Sequence, residues 1–353
     1  MKSIKYILYF LLVLIIVVSC KDDDDTTVPN IELRDRGEQQ MADNDSLIDY
    51  LSTHYYNSSF FQEGEDYRYG DLIITELPID ENTGEYLDMP DPENNTLLID
   101  AVEILTTEYF DVQYEYYVLR INNGEGQSPN FTDRVEVRYE GKEVGSGNVF
   151  DSRITPINLA LQGNLINSFG SIRAWQLVLP GFKASTGFTL NNGIVEYEDY
   201  GFGVMFVPSG LGFFSGTDSG SSYANLIFKF ELLRTQVEDH DGDGIPSYIE
   251  DLDSDMDVSN DDTDEDNFPN FIDLDDDGDG VNTIDELMSN TYTVDTNVNE
   301  EEPVLGEGEY EVSRSETDGV ITINTVEIVD SDSNGVADYL QEDIAINYNE
   351  EEG

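Results

Sequence analysis

The feature that most constrains this chain is a gap in its basic residues: between Arg234 and Arg314 there is no Lys or Arg. Inside that gap, residues 238–302 hold 25 acidic side chains in 65 positions. So charged a stretch repels itself and has little apolar surface to set against the entropy of folding, unless something positive gathers among its carboxylates. The segment before it is of the opposite kind. Residues 115–234 carry nine Lys or Arg against twelve Asp or Glu and are rich in Tyr and Phe, the composition of an ordinary packed domain. The junction near Gln236 is therefore the firmest boundary in the sequence.

Over 353 residues, 76 acidic and 16 basic side chains leave a net charge of -60, which makes nucleic acid a poor partner. One cysteine and two histidines exclude a disulfide framework, a Cys/His zinc site and a Cys-His nucleophilic pair. A Ser-His-Asp triad would have to use His54 or His240. His54 reads as packing, on the apolar face of a helix that starts at N-caps among Asp43, Asn44 and Asp45 and runs through Leu47, Ile48 and Leu51 to Tyr55. His240 reads as a solvent-facing spacer in an acidic loop.

Met1 to Lys5 carries two lysines, and residues 6–18 form an apolar run too short for a spanning helix, so 1–20 reads as a signal peptide. It ends in Val17-Val18-Ser19-Cys20, which resembles a bacterial lipobox and implies acylation of Cys20, with anchoring of about 0.8 kcal/mol per buried methylene. Lys21 and Asp22 to Asp25 open an acidic tether over 21–40; it reads as a solvated spacer, and also resembles a tag for export to the outer leaflet. The expected location is that of an outer-membrane lipoprotein facing the periplasm or the cell surface. The extension over 41–114 holds the helix above and short strands at 71–77 and 97–105, between turn-rich stretches such as Asp88 to Pro92. No motif with chemistry appears in it.

Residues 115–235 read as antiparallel β-structure. Strands are expected at 116–121, 134–139, 204–212 and 224–233, with one short helical stretch at 172–179 carrying the only tryptophan. In order come V-E-V-R-Y-E-G at 135–141, F-D-S at 150–152, P-I-N-L at 156–159, V-P-S-G-L-G-F-F at 207–214 and A-N-L-I-F-K-F-E-L-L at 224–233. This order resembles the FKBP-type peptidyl-prolyl cis-trans isomerases over about a third of the chain. The resemblance implies an α+β fold, a curved antiparallel sheet wrapped on a short helix, and a pocket that takes proline-containing segments of other proteins. Carried over position by position, the pocket is Tyr139, Phe150, Asp151, Ile157, Leu159, Ile172, Trp175, Phe213 and Phe228. Trp175 would be its floor, Phe150 and Phe228 its walls, and Asp151 its one charged group, hydrogen-bonded to Tyr139.

Such a pocket needs no nucleophile. The prolyl amide faces a barrier of about 18–20 kcal/mol from resonance, and a dry aromatic setting that holds the proline favours the twisted over the planar amide. The chain departs from the family pattern in several places. Phe213 stands where the family has a hydroxyl-bearing Tyr, Ala174 replaces a Gly, Ser171-Ile172 replaces a V-I pair, and the flap at Ser219 to Ser222 lacks apolar residues and is expected to be flexible.

The acidic segment has its own grammar. In D-H-D-G-D-G-I-P-S-Y-I-E at 239–250, Asp239, Asp241, Asp243, the carbonyl of Ile245 and Glu250 fall at positions 1, 3, 5, 7 and 12 of a calcium loop, with Gly244 at the sharp turn. A second loop offers Asp275, Asp277, Asp279, the carbonyl of Val281 and Glu286. Between them Asp253, Asp255 and Asp257 alternate, as do Asp262, Asp264 and Asp266, followed by Asp273. The alternation with Asn267 and Pro269 resembles thrombospondin type 3 repeats. That implies structural, non-catalytic Ca2+ over 238–290 and almost no apolar core, with affinities on the order of 10⁻⁴ to 10⁻³ M. In the remaining 291–353, a degenerate loop runs from Asp330 to Gly335 with Gln341 at position 12, and 320–328 reads as a hairpin. The expected activity is prolyl isomerisation; the alternatives are a non-catalytic proline-binding or adhesion lipoprotein and a calcium-dependent surface spacer.

Overall fold

Alternation of large side chains along the central strands produces a sheet that is buried on both faces. In the computed structural model, residues 33–62, 68–164 and 170–349 are described; Cys20, the apolar leader and the tether up to residue 32 lie outside them. A helix α1 (Arg36–Thr53) leads into β1 (His54–Tyr56), β2 (Ile74–Glu76), β3 (Thr96–Leu97), β4 (Glu103–Tyr109), β5 (Val112–Asn122), β6 (Arg134–Glu143) and β7 (Val149–Ala160). Then come α2 (Arg173–Val178), β8 (Gly187–Asn191), β9 (Ile194–Glu198), β10 (Gly201–Val207), β11 (Leu226–Gln236), β12 (Met288–Asp295), β13 (Glu309–Thr317) and β14 (Val320–Glu327). The architecture is α+β with antiparallel sheets, as expected. No helix among the described residues is long and apolar enough to cross a membrane.

The main sheet has six strands in the order β4-β5-β10-β11-β6-β7, all antiparallel. One face carries Tyr116, Val118, Val137, Tyr139, Met205, Phe228 and Phe230, and closes on Trp175 and Val178 of α2. The opposite face carries Tyr117, Leu119, Val204, Phe206 and Ile227 and closes on Leu47 and Leu51 of α1 with Leu72 and Leu98. With both faces covered, every residue of β10 is buried. The extension whose role the sequence left open is thus the lid of the second face. Between the layers Glu231 is fully buried, paired with Arg138 at 2.9 Å and accepting the Tyr69 N–H at 2.8 Å.

The helix differs from its expected bounds. It begins at Arg36 and ends at Thr53, so Asp43 to Asp45 lie inside it and His54 and Tyr55 belong to β1. Local capping preference loses here to a tertiary contact: the buried Asp43 carboxylate accepts the Ser209 N–H at 2.9 Å and its hydroxyl at 2.6 Å, and the Gln39 amide at 2.6 Å. Hydrogen bonds to a charged acceptor contribute about 1.5–3 kcal/mol each. Asp43→Ala should therefore lower unfolding free energy by roughly 3 kcal/mol, read as an earlier midpoint in urea at unchanged slope. His54 is half-buried and stacks on Tyr50 with ring centroids 3.7 Å apart, the packing role expected of it.

Past β11 the chain makes a series of acidic loops and then a three-stranded sheet, β12-β14-β13. The stretch read as a hairpin is the central strand of that sheet. The expectation of almost no apolar core is also corrected. Ile245, Leu287, Val326 and Tyr339 form one buried cluster, and Phe131, Val258 and Phe271 form another that joins the loops to the main sheet.

Candidate functional site: an aromatic patch and an acidic arm

Of the nine residues carried over by resemblance, eight belong to or pack against one apolar cluster, and Asp151 joins it through a hydrogen bond from Tyr139. Trp175, Phe228 and Tyr139 are buried, with ring centroids at 5.1 Å (Trp175 to Phe228), 5.5 Å (Tyr139 to Trp175) and 6.0 Å (Tyr139 to Phe228). Phe150 stands edge-on to Phe228 at 5.6 Å and to Phe213 at 6.1 Å. Phe150, Ile157, Leu159, Ile172 and Phe213 are half-buried and pack against the large apolar cluster that contains the rings of Trp175, Phe228 and Tyr139, so its edge keeps an apolar rim open to solvent. Residues 165–169, between β7 and α2, lie outside the described residues.

Strand geometry places the rings. Tyr139 and Gly141 share one face of β6, and Gly141 faces Phe228 across the ladder. A Cβ at Gly141 would meet the Phe150 ring at 2.7 Å and the Phe228 ring at 2.8 Å, so only glycine lets both rings lie over the strand. Phe182 and Phe230 continue the aromatic layer behind Trp175.

The polar edge forms as expected. The Tyr139 hydroxyl donates to Asp151 Oδ2 at 2.6 Å, and Arg153 pairs with Asp151 Oδ1 at 3.2 Å. Burial, then the bond to Asp151, pushes the Tyr139 phenol up to about 12, so it stays a donor at physiological pH. In the flap, Ser219 and Ser221 donate to Glu143 at 3.0 and 3.4 Å, and Ser146 donates to the same carboxylate at 2.7 Å.

The acidic arm repeats one loop closure. In the loops that start at 239, 251, 262, 275 and 330, the first to the fifth in chain order, the position-1 carboxylate accepts the position-6 N–H, from Gly244 at 3.1 Å, Met256 at 3.0 Å, Asn267 at 3.0 Å, Gly280 at 3.1 Å and Gly335 at 2.9 Å. Those five residues have φ between 66° and 100°, a left-handed backbone that suits Gly and Asn. In all but the second loop the position-2 N–H also bonds a buried side-chain oxygen at position 9: Ser247, Asn270, Thr283 or Asp338. That polar residue at fixed spacing is a sequence signal that inspection for carboxylates alone passes over.

Five groups of three carboxylates bring ligand oxygens within 4.8 Å of one another: Asp239, Asp241 and Asp243; Asp243, Glu250 and Asp276; Asp251, Asp253 and Asp255; Asp262, Asp264 and Asp266; Asp275, Asp277 and Asp279. The expected trio at 253, 255 and 257 is displaced by one step. Asp251 joins it, and Asp257 instead accepts the Ser259 N–H and hydroxyl. Asp273 accepts the N–H groups of Leu274 and Asp275. Glu286 is buried with neither carboxylate oxygen partnered, as are Glu250 and Asp276. Burial and neighbouring carboxylates push Glu250 up to about 11, Asp276 to about 10 and Glu286 to about 8. As bare anions they are poorly tolerated, and a hard cation with oxygen ligands is the counter-charge that this donor set fits.

His240 is corrected from spacer to wedge. It is half-buried, edge-on to Phe271 at 5.5 Å, with Nδ1 at 2.9 Å from the Ser247 hydroxyl and Nε2 at 3.4 Å from the Gln162 carbonyl. Arm and main sheet also meet through Arg173, the first residue of α2, which donates to the carbonyls of Met256 at 2.5 Å and Asp255 at 3.3 Å. The acidic loop at 251–256 thus grips the helix that carries Trp175.

The family model described as BamM C-terminal matches residues 240–307, where the sequence had suggested thrombospondin type 3 repeats. No curated protein matches the chain. Among solved structures, a peptidyl-prolyl cis-trans isomerase from Pseudomonas syringae pv. tomato is similar at 20% identity and TM-score 0.27, over 34% of this chain and 75% of that one. FkpA from Escherichia coli is similar at 21% identity and TM-score 0.28, over 38% of this chain and 52% of that one. The N-terminal domain of FKBP42 from Arabidopsis thaliana is similar at 13% identity and TM-score 0.26, over 34% and 86%.

Proposed function

We propose that residues 115–235 bind proline-containing segments of other proteins and accelerate X-Pro isomerisation, on a lipid-anchored chain stiffened by a calcium-binding arm. The observation that carries this reading is the aromatic patch itself. Trp175, Phe228 and Tyr139 make a buried floor, half-buried Phe150 and Phe213 stand over it, and one polar edge is held by the Tyr139 bond to Asp151. An apolar floor with fixed edges disfavours the charge-separated planar amide and holds the ring of a bound proline, with no attacking atom required.

The test is a proline-peptide isomerisation assay with the full chain. The wild type should exceed the uncatalysed rate, and Phe150→Ala should lose most of that excess without a loss of fold, since Phe150 is half-buried at the rim. Saturable peptide binding with no acceleration would convert the reading to a proline-gripping adhesion lipoprotein. One observation favours that second reading: Phe213 brings no hydroxyl donor to the rim. A neutral hydrogen bond contributes about 0.5–1.5 kcal/mol, so Phe213→Tyr should raise kcat/KM by up to about tenfold.

In the arm, Asp239, Asp241, Asp243 and Glu250 would hold a cation in the first loop, and Asp275, Asp277, Asp279 and Glu286 in the fourth, with the carbonyls of Ile245 and Val281. The groups at 251–255 and 262–266 would hold others. The role is structural. Placement at the outer membrane, periplasmic or surface-facing, rests on the 1–20 leader with Cys20, and the BamM C-terminal match over 240–307 accompanies it.

A further inference from the structure

Asp276 has no work to do in its own loop. It stands at position 2, and the carboxylates that converge there are those of Asp275, Asp277 and Asp279. Loop closure uses only its backbone N–H, which donates to Thr283. His240, Thr263 and Ser331 fill the same position elsewhere, so closure does not require an acid. Yet this carboxylate is 2% exposed, and neither of its oxygens has a hydrogen-bond partner. Its side chain turns into the first loop, where its ligand oxygen lies within 4.8 Å of those of Asp243 and Glu250. Glu250 is 1% exposed with both oxygens unpartnered, and Asp243 is fully buried with Oδ2 unpartnered.

We propose that Asp276 is a ligand of the first loop's cation, so that one calcium-class ion is held jointly by Asp243 and Glu250 of that loop and Asp276 of the fourth. Three dry carboxylates with five unpartnered oxygens repel one another as anions, a cation among them supplies both the counter-charge and the missing partners, and an all-oxygen donor set selects a hard ion. The ion then staples positions 250 and 276, 26 residues apart in sequence, and clamps the two middle loops between its ends. The first site is complete only when the fourth loop has folded against it, which makes the repeats assemble as a unit. This inference rests on the calcium-binding reading of the arm.

The experiment is calcium titration calorimetry on the full chain, as wild type, Asp276→Asn, Glu250→Gln and the double variant. Asp276→Asn should weaken the filling of one site at least tenfold. The double variant should weaken that same single site and no second one, because both substitutions remove ligands from one ion. Unchanged calcium affinity in Asp276→Asn, or weakening of two separate sites in the double variant, would each overturn the shared site. A wild type that takes up no calcium would instead overturn the reading of the arm on which it rests.

Discussion

On the calcium-binding reading of the arm, a chelator should unfold residues 238–349 of the intact protein and leave the six-stranded sheet standing. The sheet is held from both faces by large apolar clusters, whereas the arm has two small ones and a network of carboxylates. Each cation bound at a hundred times its dissociation constant contributes about 2.7 kcal/mol, so two or three sites amount to most of the stability of a small domain. Hydrogen exchange reads this by segment. In chelator the amides of β12, β13 and β14 should exchange orders of magnitude faster, while those of β5, β10 and β11 keep their protection. Equal protection of both parts with and without calcium would show that the arm stands on its apolar clusters alone.

Trp175→Ala should have the largest effect of any single substitution in the main sheet, on stability and activity together. The indole is 4% exposed and meets the rings of Tyr139, Phe228 and Phe230 at 5.1–5.6 Å. Truncating so large a buried side chain costs about 3–5 kcal/mol. At about 2–4 °C per kcal/mol for a unit of this size, that is a fall of roughly 10 °C in melting temperature. Scanning calorimetry reads the stability, and the isomerisation assay reads the loss of the patch's floor. Paired with Phe150→Ala, the measurement separates fold from site: Trp175→Ala should lose both, Phe150→Ala mainly activity. If Phe150→Ala kept full activity, the rim would play no part in the chemistry.

Much of the site was legible in the chain through the order of motifs and the family resemblance they carry, not through strand alternation. Tyr139, Asp151 and Phe228 sit on neighbouring strands, but the β6–β7 register shifts between Val137 and Tyr139 and again between Gly141 and Lys142, so alternation alone would not place Phe150 beside them. Gly141 was legible as a motif letter, but its reason appears only when two rings are seen to occupy the space of its absent Cβ. The hairpin β8-β9 was missed; its Leu190 and Ile194 are exposed, so burial imposes no clean pattern on it. The bounds of α1 were misjudged because Asp43 is an N-cap residue by type and here serves as an acceptor for Ser209, 166 residues away.

The acidic loops divide along the same line. Position-1 carboxylates, a left-handed residue at position 6 and alternating oxygens are local devices, written within twelve residues and set by backbone sterics and short-range hydrogen bonds. The amino-acid order therefore determined by itself that such loops form and where the first, fourth and fifth of the five closed ones lie, with the third partly recognised and the second read one step late. What only the tertiary structure decided is which loops share a charge. Asp276 looks in sequence like one more acid in an acidic run, and becomes a partner of Asp243 and Glu250 because packing around Ile245, Leu287 and Tyr339 brings the first and fourth loops together. The physical reason is reach: dihedral preferences and hydrogen bonds act over a few residues, while burial of apolar surface and neutralisation of charge act on whatever the folded chain brings close.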